Sequence, residues 1–504
     1  MQNQRKTQEI NDAFDAPDTF KVRILKGVQA NSLGQLIGVL IRFILPPLFL
    51  ESWGVNLYGE WIILSSIAGY LMITDGGVQL YIINRLTQAY AKKQKELFAS
   101  IAKTGLMMLI VIPMIGYTIF LIAILLEVPS LFIQLNEVQT EVIPIVLGII
   151  GFEVLLSIPY GLLIGIYKSI GQLARGVMLA NIHVLLQLIF VILALKLEAE
   201  IIAIAIVQII PIIIIGIFAM RELSQKFIGL GLFHADAADL QLAKTFLKPS
   251  GYFFLIQFSQ VAAIHGAVMI VGSLFTSVQV VIFATMRTIS NSILQGVSII
   301  AHTFWPELTK VDELNDQKSM YRYACIIIRT NFLMASVLVF LLHFFGKEIY
   351  HFWLGGDIKY NESVMSLFLV YTIQALYWKS CHYLLLATNK HHQLSIVLSI
   401  NSFLTLFLAW IGGSNFGFEG VIIGIIISEI SLLFWYIPYL IIKSWDVFTP
   451  IFFIKEIIVA GFCLIIGSAG IFWGLISIML YFIWWYRCIP LNISILENIK
   501  KLFN

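Results

Sequence analysis

The chain has 504 residues, 59% hydrophobic and 12% charged, with a mean hydropathy of +0.90. A soluble domain cannot be built from that mixture, because too little polar surface is left to cover so large an apolar interior. The net charge of +3 is too small to indicate a nucleic-acid partner.

In chain order, residues 1–26 are polar and of mixed charge. The apolar run that follows is too long for the core of a signal peptide and reads as a permanent first span. Apolar runs long enough to cross ~30 Å of hydrocarbon at ~1.5 Å per residue recur at 27–50, 60–82, 100–126, 141–166, 176–197, 199–219, 250–272, 277–300, 323–345, 361–387, 393–413 and 417–441. The last apolar stretch, 456–486, exceeds one span, and Gly467 and Gly470 near its middle predict two short helices joined by a turn. Pro46-Pro47, Pro159 and Pro211 are expected to kink or end their helices. The expected fold is an all-α polytopic membrane protein of about 14 transmembrane helices. A segment 1–26 leads into a six-helix lobe, 27–219. A basic connection, 220–249, leads to a second lobe, 250–441, and 442–504 holds the terminal hairpin and tail.

Orientation follows from the basic residues. With the N-terminus in the cytoplasm, 25 of the 32 Lys and Arg fall on the inner side, and Lys196, Lys347 and Lys359 fall outside. Arg42, Arg287, Arg329 and Lys379 lie within spans. The same bias favours the terminal hairpin, since a single last span would place Arg487, Lys500 and Lys501 outside. Both termini are therefore expected in the cytoplasm, with the spans in a bacterial inner membrane.

The halves share a weak repeat. "VNLYGEWIILSSI" at 55–67 and "VQVVIFATMRTI" at 278–289 each follow a short outer turn, and each span ends in a polar amphipathic stretch. Six spans is an even number, so the halves enter from the same side, as parallel repeats about an axis along the membrane normal.

Ionisable residues at membrane depth are costly and are candidate functional groups. Arg42 and Arg287 lie ~12 and ~15 Å from the outer ends of their spans, and His265 sits near the same level. His265 also holds the repeat position of Arg42. Two guanidiniums and an imidazole on one cavity suit a multiply charged anion, and Arg in particular chelates phosphate through its planar fork. The structural alternative is pairing with a buried Glu, or snorkelling. Glu153 and Glu429 stand in mid-span as candidate counter-ions or as a site for Na+ or H+ coupling. Asp75, in "TDGG" at 74–77, either caps a helix break or gates the inner mouth. Arg329 and Lys379 lie near inner ends, where snorkelling is the simpler expectation. Cys325, Cys381, Cys463 and Cys488 show no metal-ligand spacing and read as small buried apolar residues. Walker A, GxGxxG, HExxH and CxxC patterns do not occur, so neither catalytic residues, nor a metal site, nor a nucleotide-driven step is expected.

Two segments carry a family resemblance. "SWGVNLYGEWIILSSIAGYLMITDGGVQLYIINRLTQAYAKKQKE", 52–96, resembles the first-hairpin region of polysaccharide (O-antigen-type) flippases of the multidrug/oligosaccharidyl-lipid/polysaccharide (MOP) exporter superfamily. "ATMRTISNSILQGVSIIAHTFWPELTKV", 284–311, resembles the matching segment of the second half. The resemblance implies two six-helix lobes working by alternating access, with an oligosaccharide on undecaprenyl pyrophosphate as cargo. Membrane lipids would be further partners, as would the polymerase and glycosyltransferases of the same pathway. In the related peptidoglycan-precursor flippases, arginines on the first, second and eighth helices hold the pyrophosphate. Arg42 and Arg287 match the first and eighth, and the second span holds no arginine. An ion-coupled multidrug extruder of the same superfamily is the alternative, and it would call for a carboxylate-rich cavity. A membrane polymerase, ligase or glycosyltransferase would need large outer loops or acidic metal-binding motifs, which the sequence does not show.

Overall fold

The computed structural model describes residues 20–131, 135–227, 239–356, 358–388, 390–468, 476, 478–483 and 485. Within them the chain is helical, in the order α1 (Phe20–Gly69), a 3-10 turn (Tyr70–Asp75), α2 (Val78–Ala91), α3 (Lys95–Leu125), α4 (Val142–Ser169), α5 (Leu173–Lys196) and α6 (Ile201–Lys226). There follow α7 (Leu240–Val261), a π turn (Ala262–Gly266), α8 (Ala267–Leu274), α9 (Ser277–Glu313), α10 (Gln317–Leu354) and α11 (Glu362–Ala387). The series ends with α12 (His391–Ser431), α13 (Leu433–Ser444) and α14 (Pro450–Ser468).

Among the described residues, eight helical stretches are long and apolar enough to cross a membrane. Two of them, Gln29–Asp75 and Gln393–Ser444, contain 47 and 52 residues. At ~1.5 Å per residue each is more than twice as long as the hydrocarbon is thick. Each folds back at one glycine, Gly54 (φ 72°) and Gly417 (φ 74°), in a conformation that L side chains rarely adopt. Each stretch is thus a helical hairpin of two spans, as the expected pairs 27–50/60–82 and 393–413/417–441 require. Large apolar side chains such as Leu36, Leu40, Ile115, Ile119 and Phe403 are exposed along these helices, the pattern of a lipid-facing surface rather than a wet one. The chain is an all-α multi-pass membrane protein. The expected turn between the last two spans reaches Gly470, and its C-terminal part lies outside the described residues, as does Cys488.

The prolines do not end their helices. Pro46, Pro47, Pro159 and Pro211 all lie inside continuous α-helix. Cys325 and Cys381 are buried free thiols, as expected.

By internal packing the chain divides into two compact units. The first comprises Met1–Thr288, Trp353–Lys359 and Leu398–Gly424. In it α1 and α5 run parallel in a constant register. Gly27 meets Leu173, the Asn181 amide donates to the Ala30 carbonyl (3.2 Å), and the Trp53 indole donates to the Ala199 carbonyl (3.1 Å). The second half of the α1 hairpin runs antiparallel to α7–α8: Gly59 lies on the Ser277 backbone, Ile63 on Gly272 and Gly69 on the His265 ring. The second unit comprises Ile289–Phe352, Tyr360–Val397 and Ile425–Asn504. Its core joins α10, α11, α13 and α14 through aromatic contacts around Tyr377, Phe434 and Phe453.

Candidate functional site

The π turn Ala262–Gly266 interrupts the helix that would otherwise run from α7 into α8. One residue is inserted into the i→i−4 ladder there, which re-aims side chains and disturbs carbonyl pairing. Arg287, about three turns into α9, takes up that disturbance. Its Nη1 donates to the Ile264 carbonyl and its Nη2 to the Ala263 carbonyl, both at 2.9 Å. The guanidinium also lies over the Phe283 ring, 5.6 Å from its centroid. Arg287 is half-buried, so the fork is held in place without being sealed in.

His265 follows these two carbonyls directly. It packs on Gly69, where a Cβ would overlap its ring, and its ring centroid is 6.2 Å from that of Tyr70. The structure therefore brings the Arg287 fork and His265 to one turn. Sequence reading missed Gly69, Tyr70 and the π turn, and no residue pattern in "VAAIHGAV" announces that turn.

Arg42 is exposed on α1. The next residue, Phe43, places its carbonyl opposite Pro47, which has no amide hydrogen to offer it. The Trp353 indole donates there instead (2.6 Å), with its ring 4.8 Å from that of Phe43. The Pro46-Pro47 pair was a legible signal of unpaired carbonyls, although its partner was not.

The three carboxylates part company. Asp75 is buried, and its Oδ1 accepts from the Gly77 amide (2.8 Å) at a turn where Gly76 and Gly77 are both left-handed. Gln257 approaches it and donates to the Met72 carbonyl (2.8 Å). Asp75 thus closes the break between the 3-10 turn and α2. Glu153 is half-buried on α4. Glu429 is buried in the second unit and accepts from Gln374 (2.6 Å) and the Trp378 indole (2.9 Å).

Two further buried carboxylates escaped the sequence reading. Glu60 accepts from the consecutive amides of Asn136, Glu137 and Val138, at 2.5, 2.9 and 2.8 Å, and so ties the connection after α3 to the α1 hairpin. Glu456 on α14 pairs with Arg329 on α10, whose Nε lies 2.9 Å from its carboxylate; both side chains are almost wholly buried. Arg329 therefore does not snorkel. Lys379 lies over the Trp378 ring, 5.5 Å from its centroid. Among the described residues no group of His, Cys, Asp and Glu could hold a metal ion.

No protein-family model matches the chain. Among curated proteins it is 22% identical over 198 residues to one described as "Putative O-antigen transporter" from Salmonella typhimurium (strain LT2), a match covering 38% of this chain and 45% of that relative's length. Among solved structures it resembles the inward-facing conformation of a multidrug resistance MATE family transporter of the MOP superfamily. The TM-score is 0.64 at 14% identity, over 82% of this chain and 95% of that one. It also resembles the lipid II flippase MurJ in its inward closed conformation, with a TM-score of 0.63 at 15% identity, over 92% and 97% of the two chains. The chain has the fold of the MOP-superfamily membrane transporters. Its resemblance by sequence is to an O-antigen transporter, in keeping with the motifs at 52–96 and 284–311, and the proteins it resembles are transporters and a flippase rather than enzymes.

Proposed function

We propose that the chain flips an undecaprenyl-pyrophosphate-linked oligosaccharide, an O-antigen or capsular repeat unit, from the inner to the outer leaflet by alternating access. The observation that carries this reading is Arg287: a half-buried guanidinium at membrane depth, with its fork aligned on two carbonyls of a π turn and an imidazole beside it. Two carbonyl dipoles are weaker partners for a guanidinium than a pyrophosphate, which offers charge-assisted bidentate bonds. Cargo can therefore displace them, and they keep the fork preorganised until it arrives. Arg42 and His265 complete the anion site in this reading. The fold alone fits a multidrug extruder equally well; the basic residues and the O-antigen relative favour the lipid-linked glycan.

The lobes are assigned to 27–219 and 250–441. They describe the internal repeat, a different partition from the two packing units. The termini are assigned to the cytoplasm and the membrane to the bacterial inner membrane. The polymerase and glycosyltransferases of the pathway are the proposed partners. Coupling to Na+ or H+ is assigned to Glu429, with Glu153 as the second candidate and Asp75 confined to the inner mouth.

Glycan export in cells, scored with membrane protein level, tests the cargo site. Arg287→Ala is expected to abolish export at normal protein level, and Arg287→Lys to restore little, because an ammonium keeps the charge but loses the fork. Export at wild-type rate by either variant overturns the pyrophosphate site. Glu429→Gln is expected to leave cargo binding intact while export no longer follows the imposed Na+ or H+ gradient. An unchanged gradient response removes Glu429 from coupling.

A further inference from the structure

Tyr70 stands at the π turn without a part in the anion site. It opens the 3-10 turn directly after Gly69, the glycine on which the His265 ring sits. Its ring centroid lies 6.2 Å from that of His265, at an interplanar angle of 51°. Its hydroxyl lies over Gly266, where an added Cβ would overlap both it and the Leu406 side chain. Among the described residues that hydroxyl makes no hydrogen bond, although a half-buried phenol usually finds a partner. Its neighbours hold the turn in place. Gln257 of α7 donates to the Met72 carbonyl (2.8 Å), and the Thr74 hydroxyl donates to the Leu71 carbonyl (2.6 Å). Met72 is exposed, so the turn presents an open face. The internal repeat points to the same residue. Tyr70 stands ten residues past the start of the expected span 60–82, and Arg287 ten past the start of its repeat partner, 277–300. At ~1.5 Å per residue both lie ~15 Å deep. The repeat thus relates Tyr70 to Arg287 as it relates Arg42 to His265, and the structure gathers Tyr70, His265 and Arg287 around Ala262–Gly266.

We propose that Tyr70 reads the first sugar of the cargo, its ring stacked on the C–H face of that pyranose and its hydroxyl bonded to one of the sugar's hydroxyls. This rests on the pyrophosphate reading of Arg287. Arg287 and His265 address phosphate, and the pyrophosphate is the same on a lipid carrier with its glycan as on one without. Phosphate contacts therefore cannot separate the two, because discrimination needs a difference in affinity between them. The first sugar is joined to the distal phosphate by a single glycosidic oxygen, so a residue beside the anion site is within its reach. The axial C–H bonds of a pyranose form an apolar, slightly positive face, which complements the negative face of an aromatic ring. The phenol also gains a hydrogen bond that the bare carrier cannot offer. The turn that carries Tyr70 is already held by Gln257 and Thr74, so little further ordering is needed on binding. A Tyr70 that merely braced His265 would serve both carriers equally.

The test uses the full chain, purified in neutral detergent, and two probes: undecaprenyl pyrophosphate, and the same lipid carrying one N-acetylglucosamine on its distal phosphate. The affinity for each is measured by native mass spectrometry. Wild type is expected to bind the sugar-bearing probe about tenfold more tightly than the bare one. Tyr70→Ala is expected to abolish that preference and to leave the affinity for undecaprenyl pyrophosphate unchanged. Tyr70→Phe keeps the ring packed on Gly266 and Leu406, which guards against a folding defect. It is expected to retain the stacking and to lose about threefold on the sugar-bearing probe alone. A wild type without preference, or Tyr70 variants that keep the wild-type ratio of the two affinities, overturns the proposal. Arg287→Ala is expected to weaken both probes alike and to preserve their ratio. Unchanged binding of both probes by Arg287→Ala overturns the pyrophosphate site instead, so the two readings fail separately.

Discussion

Arg329 and Glu456 show how far a residue's meaning depends on its partner. In the sequence Arg329 is a cation near the inner end of a span, for which snorkelling is the least costly solution. In the fold it is buried against a carboxylate from a helix that begins more than a hundred residues later. Two charges taken out of water together are tolerable, but one alone is not. Arg329→Met is therefore expected to destabilise the second unit by ~3–5 kcal/mol, whereas Arg329→Met with Glu456→Leu recovers most of the loss. Thermal unfolding of the three proteins in one detergent measures both effects, and a double variant no better than the single one refutes the pairing argument. Phe43 makes the same point on the backbone. Pro47 forecasts a carbonyl without a helical donor, but only the fold shows that the Trp353 indole supplies one.

Among the elements, the α1 hairpin and the turn after it carry the most information. The "TDGG" segment was legible as a break, because a glycine pair and a capping aspartate have few other uses inside an apolar run, whereas the fold-back at Gly54 came from the structure. The register of that hairpin against α7–α8 was not legible. It depends on small residues at Gly59, Gly69 and Gly77, each set against a different backbone or ring from the second half of the chain. At Gly77 two requirements coincide: φ is 71°, and a Cβ would overlap the backbone of Phe254. Gly77→Ala is expected to cost at least ~1–2 kcal/mol for the left-handed conformation alone, and more for the overlap. It should show as a lowered Tm and a reduced monodisperse fraction on size exclusion. A variant as stable as wild type would mean that the 3-10 turn relaxes freely. The π turn is the opposite case, since no local pattern calls for it and its neighbours alone maintain it.

For the whole molecule, the charge distribution predicts orientation with no help from coordinates. The assigned topology is expected to give a fluorescent cytoplasmic reporter and an inactive phosphatase reporter when either is fused to the C-terminus. The reverse pattern would place the tail outside and overturn the terminal hairpin.

By itself the sequence determined that this protein is a many-span helical bundle, where most spans lie, and which ionisable residues sit at membrane depth. Those properties follow from local chemistry: apolar length against bilayer thickness, and the cost of charge in hydrocarbon. The tertiary structure alone decided what each of those residues does. Arg287 and His265 meet at a π turn, Asp75 closes a helix break, Glu429 is held by Gln374 and Trp378, and Arg329 is spent on Glu456. A charge in a membrane has to find a partner, and the partner lies wherever packing brings it, usually far along the chain and out of reach of any local pattern.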